Sequence, residues 1–139
     1  RRAGGACGNA GAYRPGAGLQ ELPLEELRPR GRALRHDPAF SKGANANLYD
    51  VLAPDHLVIR TFERGVEDFT YACGTGTGSL VALLTVLGQV SGQGVQVENL
   101  GGRLLVDAEA SGGQVSALFL TGPATLVCQG SVPDEALPD

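Results

Sequence analysis

The chain predicts an α+β fold, an antiparallel or barrel-like sheet wrapped around a central helix. Three observations carry that expectation. The stretch Thr77 to Val90 is apolar nearly all round, with Leu80, Val81, Leu83, Leu84, Val86 and Leu87, and a helix apolar on most faces belongs inside a domain. Short β-branched runs surround it: Ala44 to Ala53, His56 to Phe62, Val95 to Asn99, Arg103 to Glu109, Val115 to Leu120 and Ala124 to Gln129. These read as strands. Pro54-Asp55, Gly101-Gly102, Gly112-Gly113 and Gly122-Pro123 supply the turns between them.

The elements take the following order. Residues 1–20 are Gly/Ala-rich with little periodicity and read as a poorly ordered segment. Residues 21–132 form the domain. Within it, Leu22, Leu24, Leu27 and Leu34 predict short helical turns, broken at Pro29 and Gly31 and ended by Asp37-Pro38. In the strand His56 to Phe62, Leu57, Ile59 and Thr61 alternate with Val58, Arg60 and Phe62. Residues 133–139, with their acids and prolines, read as a frayed tail.

The 139 residues make one ordinary domain. There is no Met, and the chain begins Arg1-Arg2, so it reads as a fragment. A net charge of −4 argues against a general nucleic-acid or membrane-surface role. Arg28, Arg30, Arg32 and Arg35 cluster, but prolines and acids interrupt them, and a solvated face explains them. No apolar run approaches the roughly 20 residues that span a bilayer. Cys7, Cys73 and Cys128 cannot all pair within one chain, and their spacing fits neither a metal site nor a CxxC motif. A reducing cytoplasm is the simpler setting.

The chemistry concentrates in Glu63-Arg64-Gly65-Val66-Glu67-Asp68-Phe69-Thr70-Tyr71-Ala72-Cys73-Gly74-Thr75-Gly76. A thiol immediately before a helix N-terminus sits where the macrodipole favours its thiolate. The glycines after it let free backbone N–H groups close on an anion such as a carboxylate. Glu63, at the end of a strand, is a candidate proton acceptor or orienter for the sulfur. Arg64 is a candidate for bidentate carboxylate binding. Each has a plainer alternative. Most cysteines are small buried hydrophobes, and Glu63-Arg64 fits a surface ion pair. Asn45 and Asn47 fit turn residues at a strand start, and Cys128 fits sheet filler. His36 and His56 have no motif that matches them to a partner, which disfavours a cysteine-nucleophile hydrolase using either one.

Glu63-Arg64-Gly65 followed by Ala72-Cys73-Gly74-Thr75-Gly76 resembles the signature of the C-terminal half of diaminopimelate epimerase and its relatives. Leu34-Arg35-His36-Asp37-Pro38-Ala39-Phe40 with Gly43-Ala44-Asn45-Ala46-Asn47 resembles the segment leading to that family's substrate-binding asparagine. Asn99-Leu100-Gly101-Gly102-Arg103-Leu104 and Leu120-Thr121-Gly122-Pro123-Ala124 resemble its closing strands. The likeness covers roughly residues 20–132, with the motifs in matching order.

The resemblance implies one of two pseudo-symmetric halves, each a sheet around a central helix, with the active site between them. Residues 1–20 would then be a remnant of the preceding half. It also implies cofactor-independent, two-base proton transfer at the α-carbon of an amino acid. The family default is conversion of LL- to meso-diaminopimelate in lysine and cell-wall precursor biosynthesis. Carried over, Cys73 and Glu63 would be catalytic. Asn9, Asn45, Glu63, Arg64, Gly74 and Thr75 would bind substrate. No metal is implied, the missing N-terminal half is required, and a homodimer is compatible. Departures from the pattern lie near the start. Gly8-Asn9-Ala10-Gly11 stands where the family has Gly-Asn-Pro-His, with Gly11 replacing the histidine. Cys7-Gly8-Asn9 faintly resembles the other cysteine motif, but Tyr13 then stands where its cysteine belongs. The expectation is that these residues alone are inactive. The rivals are a racemase of another amino acid in the same family and a non-catalytic carboxylate-binding fragment.

Overall fold

A computed structural model of the chain describes residues 9–13 and 18–133. Six strands form one sheet in sequence order: β1 (Asn9–Tyr13), β2 (Asn45–Ala53), β3 (His56–Phe62), β4 (Val95–Asn99), β5 (Gly102–Ser111) and β6 (Gln114–Thr121). Helix α1 (Leu24–Arg35) connects β1 to β2, and helix α2 (Gly74–Val86) connects β3 to β4. The α+β class and the sheet packed on an apolar helix are as the sequence predicts. The sheet is mixed, because both helical connections return the chain parallel: β1–β2 and β3–β4 are parallel, and β2–β3, β4–β5 and β5–β6 are antiparallel. A helix crossover is what a parallel pairing needs, whereas two-residue turns suffice for the hairpins.

The two faces of the sheet carry separate cores. On one, Leu80, Val81 and Leu84 of α2 pack with Leu57, Ile59, Val95, Val97 and Val106. On the other, Leu27 of α1 packs with Leu19, Leu48 and Val58. Covered on both faces, β3 has no exposed residue, and its interior positions Leu57, Val58 and Ile59 form a continuous apolar run.

Four local expectations change. Helix α1 is continuous through Pro29 and Gly31. Pro29 is exposed, so its missing N–H interrupts the ladder only on the solvent side. Buried Gly31 lies directly against the Phe62 ring. Helix α2 starts earlier than expected and ends at Val86, not Val90, because Gly88 at φ +67° forms a left-handed cap. There Gly88 N–H donates to the Thr85 carbonyl (3.0 Å) and Gln89 N–H to the Leu84 carbonyl (2.8 Å). Asn9–Tyr13, in a stretch with little periodicity, forms β1. Ala124 to Gln129, expected as a strand, has no regular structure. Leu126 and Val127 are exposed there, and Cys128 is exposed rather than sheet filler, because this run has no neighbouring strand among the described residues to pair with.

Candidate functional site

The site lies where the ends of β2 and β3 meet the N-terminus of α2. Cys73 is the N-cap of α2, with an extended backbone, and it is buried. Its Sγ accepts the Gly76 N–H at 3.4 Å and lies 3.4 Å from Thr75 Oγ1. Asn45 Nδ2 donates to the same sulfur at 3.9 Å. Among the described residues the N–H groups of Gly74 and Thr75 have no acceptor, as expected for the first turn of a helix. Both residues are exposed. The helix therefore presents two free donors beside the sulfur, an arrangement suited to an anion.

Asn45 links the sulfur to the acid–base turn, since its Oδ1 accepts the Arg64 N–H at 2.8 Å. The Arg64 guanidinium donates from Nη1 to the Lys42 carbonyl at 3.1 Å, so Glu63-Arg64 is not an ion pair. Glu63 is half-buried. Among the described residues its carboxylate has no hydrogen bond or ion pair, to Cys73 or to any other group. Asn9 lies directly beside Asn45 in the β1–β2 register. Gly11 and Tyr13 lie in the same strand, while Cys7 and Gly8 fall outside the described residues.

Asn47 was expected as a turn residue, but it is buried in β2. Its Oδ1 accepts the Thr61 hydroxyl at 2.8 Å from the directly opposed position on β3. This pair sits beneath the first turn of α2. A Cβ on Gly76 would meet Asn47 Oδ1 at 2.8 Å and both Cys73 Sγ and Thr61 Oγ1 at 3.3 Å. The Asn45/Asn47 spacing, which puts both side chains on one face of a strand, is the signal that could have placed Asn47 beside Asn45 at the site.

The histidines take no part at the sulfur. His36 Nε2 faces Glu67 Oε2 at 3.2 Å, and His56 Nε2 faces Glu98 Oε1 at 2.8 Å. The basic cluster is more than a solvated face. Arg28 Nε reaches Asp68 Oδ1 at 2.8 Å and Arg35 Nη2 reaches Glu67 Oε1 at 2.8 Å, so two of its members bind the turn that carries Glu63 and Arg64. The Asp68 carboxyl is held below its ordinary range, chiefly by the hydrogen bond from Arg28 and next by the Phe69 N–H. The Glu67 carboxyl is lowered mainly by the Gly65 N–H and then by Arg35. Among the described residues no cluster of His, Cys, Asp or Glu could hold a metal ion. No helix there is long and apolar enough to cross a membrane.

One protein-family model, described as diaminopimelate epimerase, matches residues 18–127. A diaminopimelate epimerase of Methanothrix thermoacetophila is 41% identical over 117 residues, covering 84% of this chain and 38% of that protein. One from Chlorobaculum tepidum is 38% identical over 115 residues, covering 82% of this chain and 44% of that protein. The chain thus spans about two-fifths of the length of these curated relatives. Among solved structures, a probable proline racemase from Agrobacterium radiobacter K84, crystallised with bound carbonate, aligns with a TM-score of 0.51 at 16% identity. That alignment covers 81% of this chain and 38% of the other. At that identity the likeness concerns the fold.

Proposed function

The chain belongs to the diaminopimelate epimerase family, and from that premise we propose that it supplies one catalytic face of a cofactor-independent amino-acid epimerase or racemase. LL-diaminopimelate is the preferred substrate, as the names of its relatives favour. The observation that carries this reading is the Cys73 sulfur at the N-cap of α2, 3.4 Å from the Gly76 N–H and beside the free N–H groups of Gly74 and Thr75.

The chemical problem is a very weakly acidic C–H. In the proposed reaction the Cys73 sulfur, as thiolate, takes the α-proton, and a second acid on the opposite face of the α-carbon delivers another. No covalent bond forms between enzyme and substrate. The Gly74 and Thr75 N–H groups receive the α-carboxylate and meet the negative charge that develops there. Glu63, free of any partner among the described residues, is available to the substrate amino group and to the sulfur. Arg64 takes a carboxylate, and Asn45 keeps the Glu63-Arg64 turn and the sulfur in fixed relation. The second acid is taken to lie outside the described residues, whose other cysteine, Cys128, is exposed in a run without regular structure.

The test is solvent-deuterium incorporation at the α-carbon of LL-diaminopimelate by the longest protein that carries this chain. We expect exchange, and loss of more than about 99% of it in Cys73→Ser, since a catalytic base contributes at least ~10²-fold. Exchange unaffected by Cys73→Ser sinks the assignment of the base. The 139 residues alone are expected not to racemise the substrate. A second reading, a carboxylate-binding module without turnover, is favoured by the exposure of Cys128, the other cysteine among the described residues. Calorimetric binding of diaminopimelate with no deuterium exchange by the longest protein would establish it.

A further inference from the structure

We propose that Arg35 and Glu67, backed by His36, form a clamp that holds the Glu63-Arg64 turn in place from behind, which makes both of them positioning residues. The consequence for substrate binding rests on the epimerase reading, whereas the clamp itself does not.

Glu67 is the only residue other than glycine with positive φ (+61°) among the described residues. A side chain holds that left-handed conformation only where its surroundings over-determine it. Here they do so from two sides. Within the turn, Glu67 N–H donates to the Glu63 carbonyl at 2.8 Å, and Glu67 Oε1 accepts the Gly65 N–H at 3.1 Å. Across the fold, the same Oε1 accepts Arg35 Nε at 3.0 Å and lies 2.8 Å from Arg35 Nη2, while Oε2 lies 3.2 Å from His36 Nε2. One carboxylate thus closes the turn and ties it to the last residues of α1.

The Arg35 side chain is only 14% exposed, unlike the solvated ion pairs that contribute little. Its path is built into the chain. Gly43 (φ +63°) lies against Arg35 so closely that a Cβ there would fall on Nη1. The residue before it, Lys42, offers its carbonyl to Arg64 Nη1. Arg64 is therefore held on one side by Asn45 and Lys42, and its turn on the other by Arg35 and His36. None of these contacts uses the Glu63 carboxylate or the Gly74 and Thr75 N–H groups. The clamp orders the turn and leaves the Glu63 carboxylate and the two helix N–H groups unoccupied, while Arg64 keeps its Lys42 contact.

Glu67→Gly tests this, because glycine adopts the same φ without strain while removing the carboxylate. We expect its melting temperature to fall only modestly, because relief of the left-handed strain offsets part of the lost ion pair. Hydrogen exchange at the Arg64 amide and tryptic cleavage after Arg64 should both rise roughly tenfold or more, as local opening becomes easier. Glu67→Gln and Arg35→Lys, which keep part of the hydrogen bonding but lose the charged fork, should fall between. Diaminopimelate affinity, read by calorimetry, should weaken in the same order. Parent-like exchange and cleavage in Glu67→Gly overturn the clamp. A loosened turn in a protein whose parent form binds no diaminopimelate overturns the functional reading and leaves the clamp standing.

Discussion

At Gly76 the first turn of α2 comes so close to the sheet that one methyl group has nowhere to go. A Cβ there would lie 2.8 Å from Asn47 Oδ1, an atom already bonded to Thr61 in a buried cross-strand pair. We expect Gly76→Ala to cost about 1–3 kcal/mol through overpacking, measured as a shift in the urea midpoint at unchanged slope. It should also alter the alkylation rate of Cys73, because the Gly76 N–H and the Cys73 sulfur move together. Thr70 gives a contrasting case. Its Oγ1 is the one buried side-chain oxygen or nitrogen without a partner among the described residues. Removing an unpaired buried hydroxyl while keeping the shape is close to neutral. Thr70→Val should therefore hold or raise stability by up to ~1 kcal/mol in the same urea experiment. A loss above that range would reveal a partner for the hydroxyl. The place of Cys73 and of the two free N–H donors was legible in the sequence because residue type and local order suffice to place a thiol before a helix start. The Asn47–Thr61 pair was not, because the two residues meet only through the β2–β3 register.

The helices divide the labour between two faces of one sheet. Leu84 is fully buried in α2 against the β3–β5 face, and Leu84→Ala should cost about 2–5 kcal/mol through lost contacts and a residual cavity. Leu87, the C-cap of the same helix, is 52% exposed, and its alanine variant should fall within ~0.5 kcal/mol of the parent. Comparable losses at both positions would mean that α2 is not seated as described. A long apolar run identified α2, but the stop at Val86 came from the Gly88 cap rather than from the end of that run. The expected strand at Ala124 to Gln129 failed for a complementary reason. β-propensity measures fit to a partner strand, and that run has none among the described residues. Helix α1 survives Pro29 because the exposed side of a helix tolerates a missing N–H better than a buried one.

Across the whole molecule, three carboxylates lean on basic side chains from distant segments. Glu98 is held below its ordinary value of 4.5, first by His56 and next by Gln20. Asp68, with an ordinary value of 3.8, is held down by Arg28. Glu67 is lowered by the Gly65 N–H and then Arg35. A carboxyl depressed in the folded state contributes stability that is complete above its unfolded value and lost as pH falls through its folded one. The urea midpoint should therefore be flat with respect to these groups near neutrality and fall below about pH 5. A midpoint unchanged from pH 6 to pH 3 would contradict these assignments. Salt should weaken the Arg28–Asp68 pair, exposed on both sides, more than the Arg35–Glu67 pair.

By itself the sequence determined the class of fold and the position of a thiol at a helix start. Cys73-Gly74-Thr75-Gly76 opening an apolar helix and the order of β-branched runs depend only on local propensity and spacing. Tertiary structure alone decided which groups serve one another. It gave Asn45 to both the sulfur and the Arg64 N–H, turned two arginines of a seemingly solvated helix toward the Glu67-Asp68 turn, and left the Glu63 carboxylate unengaged among the described residues. Each of these contacts joins segments roughly 20 to 40 residues apart, beyond the reach of helix or strand periodicity. Their partners are set by register and by the packing of α1 on the sheet.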